Sequence, residues 1–350
     1  MTTSIWISLR WATLSMLFFA AVPPARSSAD DLVVVVGAAG EEEYGVQFRR
    51  WGTQWVDAAH RLGWKVTAIG LQSTGEDREE KAASDRERLL ETCRSQAGNA
   101  PDDLSPVWLV LVGHGTYQQE IANFNLVGPD LAAGELAASL ADSKRPWVII
   151  NCASASAPWL QQLGGPNRIL ITATRSGDEQ NFARFGGYLA DAVGSDLADL
   201  DHDDQISILE AFLYASGQVA KFYQQEARIP TEHALLDDNG DGRGTPAEFF
   251  RGTLLRGAAE DGMTPDGPLA SIRIVRRTGL APAVSPQQQQ SIDQLLLQVN
   301  ELRAQKETLA EEDYFQQLEL LVRELAKIES MARLDRGNDR ESSSSLHDVP

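Results

Sequence analysis

The chain has 350 residues, 43% of them hydrophobic, with 31 Lys and Arg against 50 Asp and Glu and a formal charge of −19 at pH 7. That composition supports a buried core. The acidity excludes nucleic acid as a main partner and favours cations. Cys93 and Cys152 are the only cysteines, too few for a disulfide framework, although one bridge stays open.

The amino terminus reads as an export signal. Arg10 precedes the apolar run "WATLSMLFFAAV" (11–22), and "PPARSSADD" follows, with Ser27 and Ala29 placed for cleavage after Ala29. The run has 12 residues, against about 20 needed to span a bilayer as a helix. An uncleaved anchor is the competing reading. Cleavage removes Arg10 and Arg26 and no acid. The expected mature protein is acidic, exported to the periplasm or secreted, and without a stable membrane span.

Five continuous apolar runs follow: "LVVVVG" (32–37), "KVTAIG" (65–70), "VWLVLVG" (107–113), "PWVIIN" (146–151) and "RILITAT" (168–174). Continuous rather than alternating patterning predicts strands buried on both faces. Residues 44–63, 84–98 and 130–143 read as helices between them. Strands alternating with helices predict an α/β fold with a parallel sheet wrapped on both sides. Residues 182–228 read as helical with one interruption at "DLADLDHDDQ", which closes a domain spanning 30–228. The Gly-, Pro- and Asp-rich extension 229–284 holds one expected strand, "SIRIV" (271–275). Residues 285–333 predict an amphipathic helical hairpin or coiled coil turning at "AEED" (310–313). Its segment 291–331 packs on itself, on the domain or on a second copy. The tail 334–350 has little to bury and is expected to be disordered.

In open parallel sheets, sites form outside the carboxyl ends of the strands. The third run ends at Gly113-His114-Gly115 and the fourth at Asn151-Cys152-Ala153-Ser154. Neighbouring strands lie about 5 Å apart, so the imidazole and the thiol can share one crevice. That pairing suits nucleophilic catalysis. The N–H groups of Gly115 and Cys152 are candidate oxyanion donors. A structural turn and an inert buried thiol are the competing readings of each half.

The stretches "LVLVGHGT" and "WVIINCASAS", with "RILITATRSGDEQNFARFG" (168–186) and "VVVVGAAGEEEYGVQFRRW", resemble the caspase-like cysteine peptidases, and among them the legumain family. The resemblance covers about residues 32–228. It implies a three-layer caspase-like sandwich, with His114 handling the proton, Cys152 as nucleophile and Gly115 as an oxyanion donor. It implies a protein or peptide substrate cut after Asn, Asp, Arg or Lys. Arg175, Ser176, Asp178 and Glu179 become pocket candidates. Asn151, where relatives often carry an acidic or small residue, and the long loop 116–128 depart from the family and bear on substrate preference. No organic cofactor is implied. Transpeptidation, or a catalytically silent binding module, are the alternatives.

Two acidic stretches fit calcium loops. In "DLDHDDQISILE" (199–210), Asp199, Asp201, Asp203, Gln205 and Glu210 hold positions 1, 3, 5, 7 and 12, and Asp204 replaces the usual glycine. In "DDNGDGRGTPAE" (237–248), Asp237, Asn239, Asp241, Arg243 and Glu248 hold the same positions, and Gly242 is present. Clustered carboxylates repel one another unless a cation sits among them, so a structural calcium is expected. A polar turn without an ion is the competing reading. Trp51, Trp55 and Trp64 are expected to pack a helix on the sheet, and His60, His202 and His233 to be surface or turn residues.

Overall fold

The five apolar runs form neighbouring strands, because only a sheet covered on both faces can bury them. A computed structural model describes residues 29–71, 83–98, 105–255, 265–277, 286–306 and 308–344. The expected export signal lies outside these, up to residue 28. In chain order the core contains β1 (Asp31–Val36), α1 (Glu42–Arg61), β2 (Lys65–Ile69), α2 (Asp85–Gly98) and β3 (Val107–Val112). A hairpin of β4 (Gly115–Gln118) and β5 (Ile121–Phe124) follows, then β6 (Leu131–Ala132) and α3 (Ala133–Ser139). Next come β7 (Trp147–Asn151), α4 (Pro158–Leu163), β8 (Arg168–Thr172) and α5 (Phe185–Gly194). The expected loop 116–128 is therefore largely strand, turned at Gln119 and Glu120, both with positive φ.

Strands β2, β1, β3, β7 and β8 pair in parallel in that order. Alternate residues face opposite sides. Val34, Val110 and Ile150 join a core formed with α1, α5 and a later helix. Val35, Leu109 and Ile149 join a second core with residues of α2, α3 and α4. Helices thus cover both faces of one sheet.

A short 3-10 turn leads to β9 (Gln205–Ser207) and α6 (Ile208–Gln225). The expected extension then contributes to the sheet. β10 (Leu235–Asp237) pairs antiparallel with β8, and β11 (Thr245–Pro246) with β10, giving seven strands. These strands are too short for a periodic signal. A small hairpin of β12 (Phe250–Arg251) and β13 (Leu254–Leu255) precedes α7 (Pro268–Ser271) and β14 (Ile274–Arg277). The expected strand at 271–275 thus begins three residues later, because Pro268 starts a helical turn first.

The expected hairpin is α8 (Pro286–Ala304) and α9 (Glu311–Ser344), which pack on each other. Asp293 of α8 pairs with Arg273 at 3.2 Å, and Gln289 accepts from Arg277 at 2.8 Å. Val299, Leu302 and Tyr314 are buried, whereas Phe315, Leu320 and Val322 are exposed. Helix α9 runs to Ser344, across the first part of the tail 334–350. Extending a helix already begun gains one hydrogen bond per residue fixed.

Arg145 ties the amino ends of the sheet together. Its buried guanidinium pairs with Asp31 at 3.0 Å, donates to Gln96 at 2.7 Å and reaches the carbonyl of Ser105 at 2.9 Å. Arg145→Ala strands the Asp31 charge in a buried site, and urea unfolding is expected to show a loss of about 3–5 kcal/mol. Arg145→Lys recovers only part of this, because the planar fork is lost.

Candidate active site and acidic loops

Register decides what the strand ends share. Leu111 of β3 stands opposite Asn151 of β7, and Val36 of β1 opposite Val112 of β3. His114 and Cys152 therefore emerge at the carboxyl ends of adjacent strands. Gly37 to Ala39 leave β1 on the other side of His114. The order β8-β7-β3-β1-β2 reverses direction between β3 and β1, which is where an open sheet forms its crevice.

His114 is half-buried against aromatic rings. Its ring centroid lies 5.0 Å from those of Tyr44 and Phe48 and 6.1 Å from Phe182, all edge-on. Nε2 lies 3.1 Å from the carbonyl oxygen of Ala39. A carbonyl only accepts, so Nε2 carries the proton and Nδ1 is left with the lone pair. Burial holds the imidazole below its ordinary pKa, against a smaller raising effect of the Ala39 hydrogen bond. It is neutral at pH 7.

Cys152 is 1% exposed and belongs to the core formed with α1 and α5. Its Sγ makes no hydrogen bond among the described residues, to His114 included. Burial pushes the thiol up to about 12. The amino end of α5 covers it closely: a Cβ on Gly186 would stand 2.6 Å from Cys152 Cβ and 3.1 Å from Sγ. Trp51 closes the same side, 3.4 Å from that Cβ position.

The expected oxyanion donors are both engaged. Cys152 N–H donates to the carbonyl of Leu111 at 2.9 Å, the last rung of the β3–β7 ladder. It is therefore not a donor for substrate. Gly115 N–H faces Ser154 Oγ at 3.3 Å, and that hydroxyl donates to Gly115 O at 3.1 Å. A Cβ on Gly115 would meet the Ser154 carbonyl at 2.4 Å, so the glycine after His114 serves close backbone approach. The turn after Cys152 continues through Ala155, at φ +52°, whose N–H donates to Glu179 O at 2.8 Å.

The pocket candidates form one loop. Arg175 reaches Glu179 at 3.4 Å and is exposed. Ser176 accepts from Asp178 N–H at 3.2 Å, a local turn. Glu179 also accepts from His233 through both its backbone N–H, at 3.1 Å, and its ring. His233 is thus more than a turn residue. Glu232, not singled out by sequence, accepts from the N–H groups of Arg184 and Phe185 at 2.7 and 2.9 Å. It caps α5, the helix that covers Cys152. No motif spacing announces a contact 47 residues away.

No family model matches the chain, and no curated protein matches it.

The two acidic loops differ. In the first, ligand atoms of Asp199, Asp201 and Asp203 all lie within 4.8 Å of one another. Asp204 takes φ +65° in the glycine position. Burial, then the charge of Asp201, pushes Asp203 up to about 6. Gln205 lies in β9, which pairs with β14, and Glu210 lies in the first turn of α6. Glu210 accepts from Ser207 N–H and Leu200 N–H, both at 2.8 Å, so it caps the helix and binds the loop back.

The second loop leaves a strand rather than a helix. Asp237 accepts from Gly240 and Gly242, Asn239 from Asp241, and Asp241 from Arg243, at 2.7–2.9 Å. Gly242 takes φ +73°. Glu248 stands exposed on a 3-10 turn and makes no hydrogen bond with the loop. The acid that does close it is Asp266, which accepts from Asp238 N–H at 3.0 Å and Thr245 Oγ1 at 2.6 Å.

Two outcomes follow from the covered thiol. Gly186→Ala is expected to lower stability by about 1–3 kcal/mol in urea titration, since neither partner is a flexible side-chain end. Iodoacetamide at pH 8 is expected to leave Cys152 unmodified in the folded protein and to alkylate it in guanidinium. Because burial raises the thiol's pKa, labelling of the folded form should climb with pH without a plateau below about pH 9.

Proposed function

We propose that the chain is an exported, caspase-like cysteine endopeptidase related to the legumain family, and that the covered Cys152 is its resting form. The placement of His114 and Cys152 at the carboxyl ends of adjacent, registered strands carries this reading. Their common side supports it: both pack against α1, His114 on Phe48 and Cys152 beneath Trp51. The Ala39 carbonyl supports it again, because it leaves Nδ1 free to accept a proton.

In the reaction, α5 and Trp51 draw back from Cys152. The thiol passes its proton to His114 Nδ1, and the thiolate attacks the peptide carbonyl carbon. The C–N bond breaks, His114 returns the proton to the leaving amine, and a thioester remains. Water hydrolyses it to a carboxylate and restores the thiol. Gly115 N–H becomes an oxyanion donor once Ser154 Oγ turns away. The loop 175–180 meets the residue before the cut, with Arg175 at its exposed end. An amine in place of water gives transpeptidation.

Calcium is proposed as a structural ion. The Asp199–Asp201–Asp203 cluster fits it, as the cation offsets the burial, and then the charge of Asp201, that raise Asp203, and it would pin the start of α6. The second loop fits less well, since Glu248 does not close it.

One observation favours a silent binding module instead: the thiol is buried and has no hydrogen bond to the imidazole. Acyloxymethyl-ketone peptide probes ending in Asn, Asp, Arg or Lys decide between them. Labelling at Cys152 that disappears in Cys152→Ala and His114→Ala supports the peptidase. A folded protein that no probe labels, with or without calcium, overturns it. Thermal unfolding tests the ion: calcium at 100 times its Kd is expected to stabilise by about 2.7 kcal/mol, and Asp201→Asn to abolish most of that gain.

A further inference from the structure

A cavity of about 350 Å³ borders the candidate active site. Its walls are Tyr44, Trp51, Phe182, Tyr188 and Phe222, with Arg184 among them. Tyr44 and Phe182 stack at 4.7 Å, and both also touch the His114 ring. One aromatic layer therefore separates this cavity from the imidazole. Trp51 connects it to the cover over Cys152.

Arg184 is the unusual member. Its guanidinium carbon lies 4.3 Å from the Phe222 ring centroid and 5.5 Å from that of Phe182. Among the described residues it makes no ion pair within 4 Å and no side-chain hydrogen bond, although Glu232 lies near enough to sense its charge. Its main chain is fixed by the Glu232 cap. The guanidinium donors are thus held in place by two aromatic faces with no acceptor among the described residues.

The charges around the cavity select the occupant. Glu43 and Asp191 also line it, and Asp191 is already taken by Arg50 at 3.1 Å and Gln54 at 2.8 Å. A free anion meets those carboxylates, and a cation meets Arg184. A neutral ring meets aromatic faces and a guanidinium plane, both favourable partners. A main-chain carbonyl beside that ring supplies the acceptor Arg184 lacks.

We propose that this cavity seats an aromatic residue of the bound peptide, its ring between Tyr44, Phe182 and Phe222 and its main-chain carbonyl on Arg184. That the ligand is a peptide rests on the peptidase reading above; the aromatic preference rests on the cavity itself. Occupancy presses on the Tyr44–Phe182 layer and Trp51, which join the cavity to His114 and to the cover of Cys152.

The test uses the full chain with Cys152→Ala, so that binding is read without turnover. Short peptides carry 4-fluorophenylalanine or trifluoroleucine at each position around Asn, Asp, Arg or Lys, and are titrated by fluorine NMR. The aromatic peptide is expected to bind at least tenfold tighter at one position. Arg184→Met and Phe222→Leu, each added to Cys152→Ala and checked for unchanged thermal unfolding, are each expected to weaken it about tenfold. Equal affinity for both peptide sets, no binding, or full affinity in both variants overturns the proposal. The wild-type chain separates the two readings. Aromatic-selective binding with no cleavage of these peptides and no Cys152 labelling sinks the peptidase and leaves the cavity. Cleavage indifferent to the aromatic residue sinks the cavity and leaves the peptidase.

Discussion

The parallel ladder through β1, β3 and β7 is the constraint on which the rest depends. Its strands are buried on both faces, so no polar side chain can stand along them without losing its water. Chemistry is pushed to the ends. There the register is tight: the ladder runs unbroken to Cys152 N–H, which bonds Leu111 O. The residues that follow Val112 and Asn151 must therefore turn away side by side. Gly113 leaves room for the Phe124 ring, Gly115 lets the backbones of Ser154 and Asn123 approach, and Ser154 stitches the β3 turn to the β7 turn through both polar groups of Gly115.

The same constraint explains why the thiol is quiet. Cys152 is the first residue past β7, and its side chain still follows the sheet's alternation into the core beside α1. A thiolate there would lose its solvation with no cation or donor to replace it, so the proton stays on. Reactivity then has to come from movement of what lies above it, the amino end of α5. That end is held by Glu232, which accepts its first N–H groups, and by buried Phe185, whose ring centroid lies 6.1 Å from that of Phe212, while Gly186 and Gly187 pack on Cys152 and Trp51 without side chains of their own.

The central strands were legible because continuous β-branched runs have no other soluble home, and the helices between them because amphipathic spacing marks their inner faces. That His114 and Cys152 follow adjacent strands was legible from topology, as strand ends in a parallel sheet are neighbours by construction. What escaped has a common cause. Strand β10 has three residues, below any period. The β4–β5 turn uses Gln119 and Glu120 at positive φ, where glycine or asparagine would have signalled it. Glu232, His233 and Asp266 act through hydrogen bonds to segments 21 to 54 residues away. Tertiary packing creates those contacts, and sequence spacing does not encode them.

Acidic residues show why composition alone misassigns roles. Asp238, Asp266, Glu210 and Glu232 are all buried carboxylates, and burial raises the pKa of each. Every one of them points its oxygens at backbone N–H groups. Asp238, for example, accepts from Gly267 and Ala270 and so fastens α7 to the loop after β10. Such acids substitute for a missing turn of hydrogen bonds. Asp199 and Asp203 likewise accept from backbone N–H groups, those of Asp203, Asp204 and Gln205, but with Asp201 they also bring one oxygen each within 4.8 Å of the others. Repulsion would spread them unless the chain held them, and the left-handed residues His202 and Asp204 bend the chain so that it does. The mutual approach of carboxylate oxygens, beyond the N–H bonds that both loops make, is what distinguishes the first loop from the second. It ranks 199–210 above 237–248, the reverse of what closeness to a sequence pattern suggests.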